Sequence, residues 1–213
     1  MLGKVVNVDD LTRRTWTQND KLAITTFVDG DPNENPWVAG KPQVEKMEVV
    51  AYDPAWVLRY QYEHGRIQQA LGDKALSIVH VGSTAVPELP AKPVIDIDVL
   101  VADPTDEDSY VPALTQLGYQ LTVREPSWYQ HRMLRHEHPR VNLHVFAPEC
   151  PEHIRHVLFR EWLCNHDADR KRYAASKFTA ASGTNNALDY NRSKHEVVHA
   201  IYQDMFAAHG LLD

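Results

Sequence analysis

The segment HVGSTAVPELPAKPVIDIDVL, residues 80–100, decides how this chain folds. It joins the strand-like run SIVHV, through a loop rich in turn residues, to a second strand-like run, VIDIDVLV. The second run contains two aspartates, Asp96 and Asp98, in what otherwise resembles a buried strand. Side chains on a strand alternate between its faces, so the two aspartates share one face. The opposite face is apolar and belongs to the core: Ile95, Ile97, Val99 and Val101.

Two carboxylates on one face repel each other, and burying an unpaired charge is costly, so something must neutralise Asp96 and Asp98. A divalent cation does this directly. Oxygen ligands two residues apart on a strand suit Mg²⁺, or Mn²⁺, which binds carboxylates together with substrate phosphates and water. An edge strand whose polar face is open to solvent has the same pattern, so the two aspartates alone leave both interpretations open.

The loop between the two strands begins with Gly82 and Ser83. A glycine permits close approach of the backbone, and a serine hydroxyl with free backbone N–H groups holds phosphate oxygens. His80 and Thr84 flank this pair and are further candidates for nucleotide binding. The sequence therefore predicts a phosphate site that faces a metal site on Asp96 and Asp98.

This combination resembles the nucleotidyltransferase fold, in which a Gly-Ser pair follows the first strand and a D-x-D pair lies on the next. More narrowly it resembles the GrpB family (UPF0157), which is nucleotidyltransferase-like. The resemblance implies an α/β nucleotidyltransferase core, a divalent metal on Asp96 and Asp98, and a nucleoside triphosphate near Gly82 and Ser83. The matching segments cover most of the chain: YDPAW, HVGSTAVPELPAKPVIDIDVLV, NLHV, FREWL, the stretch 173–177 and DYNRSKHEVV.

A departure from the nucleotidyltransferase pattern lies in the run RVNLHVF, residues 140–146. Nucleotidyltransferases usually place a third carboxylate on a later strand, and His144 occupies the equivalent position here, on the same face as Asn142 and Phe146. A neutral histidine can act as a general base or as a metal ligand. A hydrogen-bonded core histidine fits the pattern equally well.

Several basic side chains are candidates for neutralising phosphate charge. Lys92 precedes the aspartate strand, and Arg132 lies in a strand predicted to neighbour it; solvated positions are the alternative for both. Lys194 falls within the apolar stripe of the last helix with Tyr190 one turn earlier, so both side chains are expected to point into the pocket. The alternative for Lys194 is that its long stem reaches solvent from the start of the helix.

Three residues of the helical last third match the family pattern, although structural ion pairs explain them equally well: Arg160, Tyr173 and Lys177. The run HEVVH at 195–199 has the spacing of a helical zinc site. We reject zinc hydrolysis because the apolar residues around this run mark a core-facing helix. The run HRMLRHEH contains His131, His136 and His138 and is interpreted as a polar hairpin.

Composition limits the class of protein. The chain has 213 residues, a net charge of −7 and 43% hydrophobic residues, as expected for a folded domain. The negative charge argues against a nucleic-acid partner, and no apolar run reaches membrane-spanning length, so no membrane association and a cytoplasmic location are expected. The two cysteines, Cys150 and Cys164, form no CxxC pair and indicate reduced thiols.

The pattern of elements indicates an α+β or α/β fold, with a small mixed sheet flanked by helices and a helical last third. Residues 1–47 differ from the rest: short β-prone pieces, KVVNV and LAITTFV, precede the turn-rich DGDPNENP, so we predict an N-terminal arm or hairpin. Residues 48–213 form the predicted GrpB-like domain. A helix beginning near Asp53 and ending at Gly72 is expected to open that domain.

The leading functional hypothesis is a Mg²⁺-dependent enzyme that transfers a nucleotidyl group from a nucleoside triphosphate to a small-molecule acceptor. Asp96 and Asp98 would hold the metal, and His144 would take the third position of the catalytic set. The first alternative is a nucleotide- or ligand-binding module that has lost the chemistry, suggested by His144 in place of a carboxylate. The second is a metabolic enzyme that uses the same pocket for another reaction.

Overall fold

In a computed structural model, the described residues form one five-stranded sheet with helices on both faces. The structure describes residues 11, 14–38, 40–41, 48–183 and 187–212, without the side chains of 181–183 and 187–193. The strands are β1 Ser77–Val81, β2 Ile95–Leu100, β3 Gln120–Glu125, β4 His131–His136 and β5 Val141–Phe146. The helices in the described parts of the chain are α1 Gln18–Thr25, α2 Ala55–Leu71, α3 Val111–Gln116, α4 Pro151–Asn165, α5 Asp167–Gly183 and α6 Ala187–Ala208.

The sheet has the order β1-β2-β5-β4-β3, in which β2 and β5 are parallel and the other neighbours are antiparallel. The mixed α/β class predicted from the sequence is confirmed. Strand β2 lies between β1 and β5, so the aspartate strand is not an edge strand. The parallel register pairs Asp96 with Asn142 and Asp98 with His144, which brings these four side chains onto one face of the sheet.

Different helices pack on the two faces of the sheet. Helices α2 and α3 pack on the face formed by Ile97, Val99 and their neighbours, where the core cluster includes Trp56 and Ile67. The helical last third packs on the aspartate face, with a separate apolar cluster around it. The helices α4–α6 therefore cover the aspartate face, where Asp98 is fully buried and Asp96 is partly exposed.

Helix α2 begins and ends where the sequence predicts. The Asp53 carboxylate accepts a hydrogen bond from the Ala55 backbone N–H at 2.9 Å, and Gly72 ends the helix with φ of 55°. Such a positive φ favours glycine, which has no Cβ to clash with the backbone. None of the helices that the structure describes has both the length and the apolar character needed to cross a bilayer.

The predicted β-prone character of the N-terminal arm is wrong for the segment LAITTFV. Its first four residues belong to helix α1. Thr17 and Asp20 form a capping box, in which the Thr17 hydroxyl accepts from the Asp20 N–H and the Asp20 carboxylate accepts from the Thr17 N–H. This local start signal outweighs the β-branched residues that favour a strand. The segment KVVNV and the boundary at residue 47 lie outside the described residues.

Candidate functional site

Asp98 has no exposed surface, and two histidines of helix α4 neutralise it. His153 Nδ1 lies 2.9 Å from Asp98 Oδ2, and His156 Nδ1 lies 3.0 Å from the same oxygen and 3.2 Å from Oδ1. Burial alone would raise the pKa of Asp98, but His156 and His153 outweigh burial and hold that pKa below its ordinary value. Burial opposes the charge on His156, but Asp98 raises the pKa of this imidazole well above its ordinary value. Asp98 and His156 therefore form a buried ion pair.

A second carboxylate supports this ion pair from the other side. Glu152 Oε1 lies 3.4 Å from His156 Nε2, and Glu152 Oε2 accepts two hydrogen bonds from Arg155, at 2.6 and 2.9 Å. Arg155 is itself held by the carbonyl of Ile24 in helix α1, at 2.9 Å. The chain of charges thus runs from β2 through α4 to the N-terminal helix, and it fixes the orientation of the His156 ring.

Asp96 has a more open environment than Asp98. Its side chain is 29% exposed, and its Oδ1 accepts a hydrogen bond from Asn142 Nδ2 at 2.9 Å. The loop after β1 approaches it closely: a Cβ at Gly82 would lie 2.6 Å from Asp96 Oδ2, and Gly82 has φ of 69°. Only glycine fits this position, because a side chain would collide with the carboxylate and would also be strained.

His144 is the end of a histidine relay that reaches Asp96. His131 Nδ1 lies 2.7 Å from Glu125 Oε2, and His131 Nε2 lies 3.0 Å from His144 Nδ1. Burial lowers the pKa of His131 to about 4, although the hydrogen bond that His131 donates to Glu125 acts in the opposite direction, so this ring is neutral at neutral pH. A neutral His131 donates to Glu125 and accepts from Nδ1–H of His144, so in the neutral form of His144 it is Nε2 that can accept a proton. That nitrogen lies 4.0 Å from Asp96 Oδ1.

Two buried lysines and a tyrosine lie on the other side of Asp96. Lys177 donates to the Pro90 carbonyl at 3.1 Å, and its ammonium lies 4.3 Å from the ring centre of Tyr173. The Lys194 ammonium lies 5.7 Å from the same ring. The Tyr173 hydroxyl is hydrogen bonded to the Ser83 side chain. The lysines therefore lie beside the loop for which the sequence predicts a phosphate site.

Burial disfavours the charged forms of both lysines. Burial, followed by the charge of Lys194, lowers the pKa of Lys177 to about 6, with Asp96 acting in the opposite direction. Burial also lowers the pKa of Lys194 to about 8, again opposed by Asp96. An anion placed between the lysines would favour the charged form of both.

A small cavity of about 60 Å³ lies against this loop. Gly82, Ser83, Arg160 and Tyr173 line it on one side, and His156 on another. The volume corresponds to about two water molecules at roughly 30 Å³ each, so it fits a phosphoryl-sized group and not a whole nucleotide. Arg160 is fixed there by donation to the His80 carbonyl at 2.7 Å.

Two of the predicted nucleotide-binding side chains point elsewhere. The His80 ring lies on the opposite face of the sheet from Asp96, stacked on Tyr60 at 4.6 Å between ring centres. Its Nε2 lies 3.1 Å from the Thr84 hydroxyl, which donates to the Val94 carbonyl at 2.9 Å. His80 and Thr84 therefore make structural contacts on the inner side of the loop. We correct the prediction that their side chains bind nucleotide.

The predicted phosphate role of Arg132 is also corrected. Strand β4 pairs with β5 and not with β2, and Arg132 pairs in register with Val145, on the face opposite Asp96. Its Nε donates to Glu107 at 2.6 Å, and the residue is 4% exposed. Lys92 lies half-buried in the loop before β2. The side chain of Tyr190 lies outside the described residues.

The sequence predicts a metal on both aspartates, but their surroundings differ. Asp96 fits a divalent cation, since it is partly open and the Oδ1 of Asn142 beside it is buried without a hydrogen-bond partner. Asp98 does not fit, because both its oxygens are occupied by histidine N–H groups. Within the described ranges, no three His, Cys, Asp or Glu side chains are arranged to hold a metal. The protein therefore offers one carboxylate to a metal, which is enough for Mg²⁺ bound mainly by phosphate and water.

Sequence reasoning did not select several side chains that surround Asp98 and His144. His153 and His156 are three residues apart on α4, a spacing that places both on one helix face and that was readable in HIRHVLF. His131 was interpreted as part of a polar hairpin, but it is 4% exposed and bonded to His144. No local pattern points to Glu125, because only the pairing of β3 with β4 brings it to His131.

Comparison with known proteins places the chain in a family. A family model described as GrpB protein matches residues 46–204. A UPF0157 protein of Halalkalibacterium halodurans is 44% identical over 137 residues, 64% of this chain and 70% of that protein. One from Streptomyces coelicolor is 36% identical over 165 residues, 77% of this chain and 87% of that protein.

A solved structure shows the same fold. The crystal structure of the conserved protein GrpB from Enterococcus faecalis superimposes with a TM-score of 0.66 at 27% identity, covering 76% of this chain and 98% of that chain. The family model, the sequence relatives and this fold agree over the region that carries β1, β2 and the aspartates. The chain belongs to the GrpB protein family, also called UPF0157.

Proposed function

We propose that this protein binds a nucleoside triphosphate and transfers its nucleotidyl group to a small-molecule acceptor. One observation carries the proposal: a partly open carboxylate, Asp96, and two buried lysines, Lys177 and Lys194, lie beside the loop that begins at Gly82 and Ser83. Burial disfavours the charged form of a lysine, and an anionic ligand at this loop would favour the charged form of both.

The loop supplies the contacts that a phosphate group needs. Gly82 has no side chain, so its backbone can approach a ligand as closely as it approaches Asp96. The Ser83 hydroxyl, held by Tyr173, is positioned as a further contact. Lys177 and Lys194 then act as point charges from helices α5 and α6, in the way that lysines usually bind phosphate.

Asp96 is the residue that would hold a divalent cation, Mg²⁺ or Mn²⁺, with the amide oxygen of Asn142 beside it. Such a cation neutralises triphosphate charge when it is bound. Asp98 has a different role in this proposal. Its ion pair with His156 fixes the ring that lines the small cavity, so it acts as a positioning residue.

His144 is the proposed general base. Its unprotonated Nε2 accepts the proton of an acceptor hydroxyl while the acceptor oxygen forms a bond to the α-phosphorus. The bond from the α-phosphorus to the bridging oxygen breaks, and pyrophosphate leaves with that electron pair. Lys177 and Lys194 stabilise the charge that builds on the leaving group. The relay through His131 keeps the His144 proton on Nδ1.

A nucleotide-binding module without transfer activity is the second candidate. The observation that favours it is the ion pair of Asp98 with His156, which leaves one carboxylate where nucleotidyltransferases use several. This candidate retains the phosphate contacts of the loop and lysines but lacks turnover.

Two measurements test these candidates. Calorimetry with Mg²⁺ and a non-hydrolysable ATP analogue should show binding to the wild type and at least about tenfold weaker binding to Asp96→Asn. Incubation with α-labelled nucleoside triphosphates and a panel of hydroxyl- and amine-bearing acceptors then separates them, because only the enzyme labels an acceptor. Equal affinity of the wild type and Asp96→Asn contradicts both candidates.

A further inference from the structure

A second, larger cavity of about 680 Å³ lies outside the site described above. It opens between residues 27–30 of the N-terminal arm, the end of β3, and helices α4 and α6. His195 and His199 of the HEVVH run line it, so this cavity gives that motif a location that the proposed function does not use. Volumes of this size are typical of small-molecule sites, which are roughly 300–1,000 Å³.

The charges on its wall favour a cation. Of the described residues that line the cavity, three are carboxylates, Asp29, Glu125 and Glu152, and one is a guanidinium, Arg155. Arg155 is paired with Glu152 at 2.6 Å, so these two charges offset each other. The remaining two carboxylates, Asp29 and Glu125, favour a positively charged ligand. Glu125 is hydrogen bonded to His131, and burial lowers the pKa of that imidazole to about 4, so His131 adds no positive charge beside Glu125 at neutral pH.

The same wall is rich in aromatic rings. Phe27 is 45% exposed, and the guanidinium of Arg155 already lies 4.9 Å from its ring centre. Trp128 is anchored by donation from its Nε1 to the Val28 carbonyl at 2.9 Å. Aromatic faces combined with carboxylates are the usual surroundings of organic ammonium groups, because the ring quadrupole attracts positive charge.

The larger cavity adjoins the proposed phosphate pocket. Tyr202 lines both cavities. Glu152 lines the larger one and lies 3.4 Å from His156, which lines the smaller one. Glu125, on the larger cavity, connects through His131 to His144. The proposed general base and the proposed phosphate site are therefore each one side chain away from this cavity.

We propose that the cavity between the N-terminal arm, α4 and α6 binds a small organic cation with a flat apolar body. That this cation is the acceptor rests on the proposed function, whereas the binding of the cation does not. Asp29 and Glu125 supply the opposite charge, and Phe27 and Trp128 supply the apolar walls. The cation is a protonated amine or a quaternary ammonium group.

Three probes of one shape test the proposal by NMR titration of the full chain: phenethylammonium, its neutral isostere 2-phenylethanol, and the anion 3-phenylpropanoate. The indole N–H signal of Trp128, assigned with Trp128→Phe, reports on the cavity wall. Phenethylammonium should bind about tenfold more tightly than 2-phenylethanol, the scale of one charge-assisted contact, and 3-phenylpropanoate most weakly.

Charge variants locate the effect. Asp29→Asn combined with Glu125→Gln should bring phenethylammonium to the affinity of 2-phenylethanol, whereas Asp108→Asn, an exposed carboxylate in the turn before α3, should leave the tenfold preference unchanged. Equal affinity for the three probes, an unmoved Trp128 signal, or a preference that survives the double variant overturns the proposal.

A further variant separates this result from the proposed function. Asp96→Asn should retain phenethylammonium binding while it weakens the ATP analogue. If the wild type does not bind nucleotide, the acceptor role is contradicted, but the cation site is not. If the wild type binds nucleotide but not phenethylammonium, the cation site is contradicted, but the nucleotide site is not.

Discussion

His156 Nδ1 lies 3.0 Å from Oδ2 of Asp98, and this contact neutralises the more buried of the two aspartates on β2. Two carboxylates on one strand face require compensation, and here they receive it from different sources. Asp98 is compensated by histidines of α4, and Asp96 by Asn142 and by the nearby charge of Lys194. The D-x-D pair is thus divided into a buried, ion-paired carboxylate and a partly exposed one.

The first prediction concerns this division. Asp98→Asn should lower the free energy of unfolding by about 3–5 kcal/mol, because it removes the nearer of the two carboxylates that pair with His156 and replaces a buried ion with an amide. Asp96→Asn should change it by less than about 1 kcal/mol, since Asp96 is partly exposed and asparagine keeps the side-chain volume. Urea denaturation at neutral pH measures both. Equal effects of the two variants would contradict the division.

The second prediction concerns the buried lysines. Lys177→Met and Lys194→Met should each weaken binding of the Mg²⁺–ATP analogue by about 1–3 kcal/mol, because each removes a charge-assisted contact. Neither should lower the melting temperature substantially, since methionine retains an apolar stem in a buried position. Lys171→Met is the matched control, because Lys171 is exposed on α5. If Lys171→Met loses as much affinity as Lys177→Met and Lys194→Met, the loss comes from the net charge of the protein and not from contacts in the site.

The third prediction is a pH dependence of stability. The pKa of Lys177 is about 6 in the folded protein, below its ordinary value of 10.5. The unfolded chain therefore binds more protons between these values, so the contribution of Lys177 makes stability rise with pH across this window, by at most about 1.4 kcal/mol per unit. Lys177→Met should be more stable than the wild type near pH 6, and this advantage should shrink towards pH 9. A constant difference across that range would place the lysine in solvent.

The same shift predicts proton uptake on ligand binding. A bound phosphate group favours the charged form of Lys177, so nucleotide binding near pH 7 should take up protons from the buffer. Calorimetry in buffers with different ionisation enthalpies measures this number of protons. Lys177→Met should reduce it, and an unchanged number would assign the uptake to other groups.

The fourth prediction concerns the close approach of Gly82 to Asp96. Gly82→Ala should destabilise the protein by about 1–3 kcal/mol from backbone strain and by more from the collision with Asp96. In an Asp96→Ala background the collision is absent, so the same substitution should cost at least about 1 kcal/mol less. Gly210→Ala is the control, because Gly210 has a φ of 62° and open space around it. Additive effects of Gly82→Ala and Asp96→Ala would contradict the contact.

The fifth prediction concerns Arg132. Arg132→Met should lower stability by roughly 1–3 kcal/mol, because it leaves the Glu107 carboxylate with one guanidinium instead of two. It should leave nucleotide affinity unchanged, since Arg132 lies on the other face of the sheet from Asp96. Denaturation and calorimetry on the same preparation test both parts. A loss of affinity without a loss of stability would restore the phosphate role expected from the sequence.

The sequence determined the strand pair, the loop between its members and the faces of β2. These features depend on neighbours along the chain: a period of two in VIDIDVLV, turn residues in the loop, and a glycine directly after a strand. The ends of α2 were predictable for the same reason, because Asp53 and Gly72 act within one turn of the helix. The placement of Lys194 in a buried position also followed from helical periodicity.

Only the tertiary structure decided how the two aspartates are neutralised and which basic residues face them. The partners of Asp98 lie more than fifty positions away on α4, and no local period connects a strand to a helix so distant in sequence. Arg132 was expected beside β2, but β5 takes that place, because strand order depends on long-range pairing. The local sequence determines which side chains share a face of one helix or strand. The packing of helices and strands against one another determines which charges lie in contact. The neutralisation of a buried charge depends on that packing.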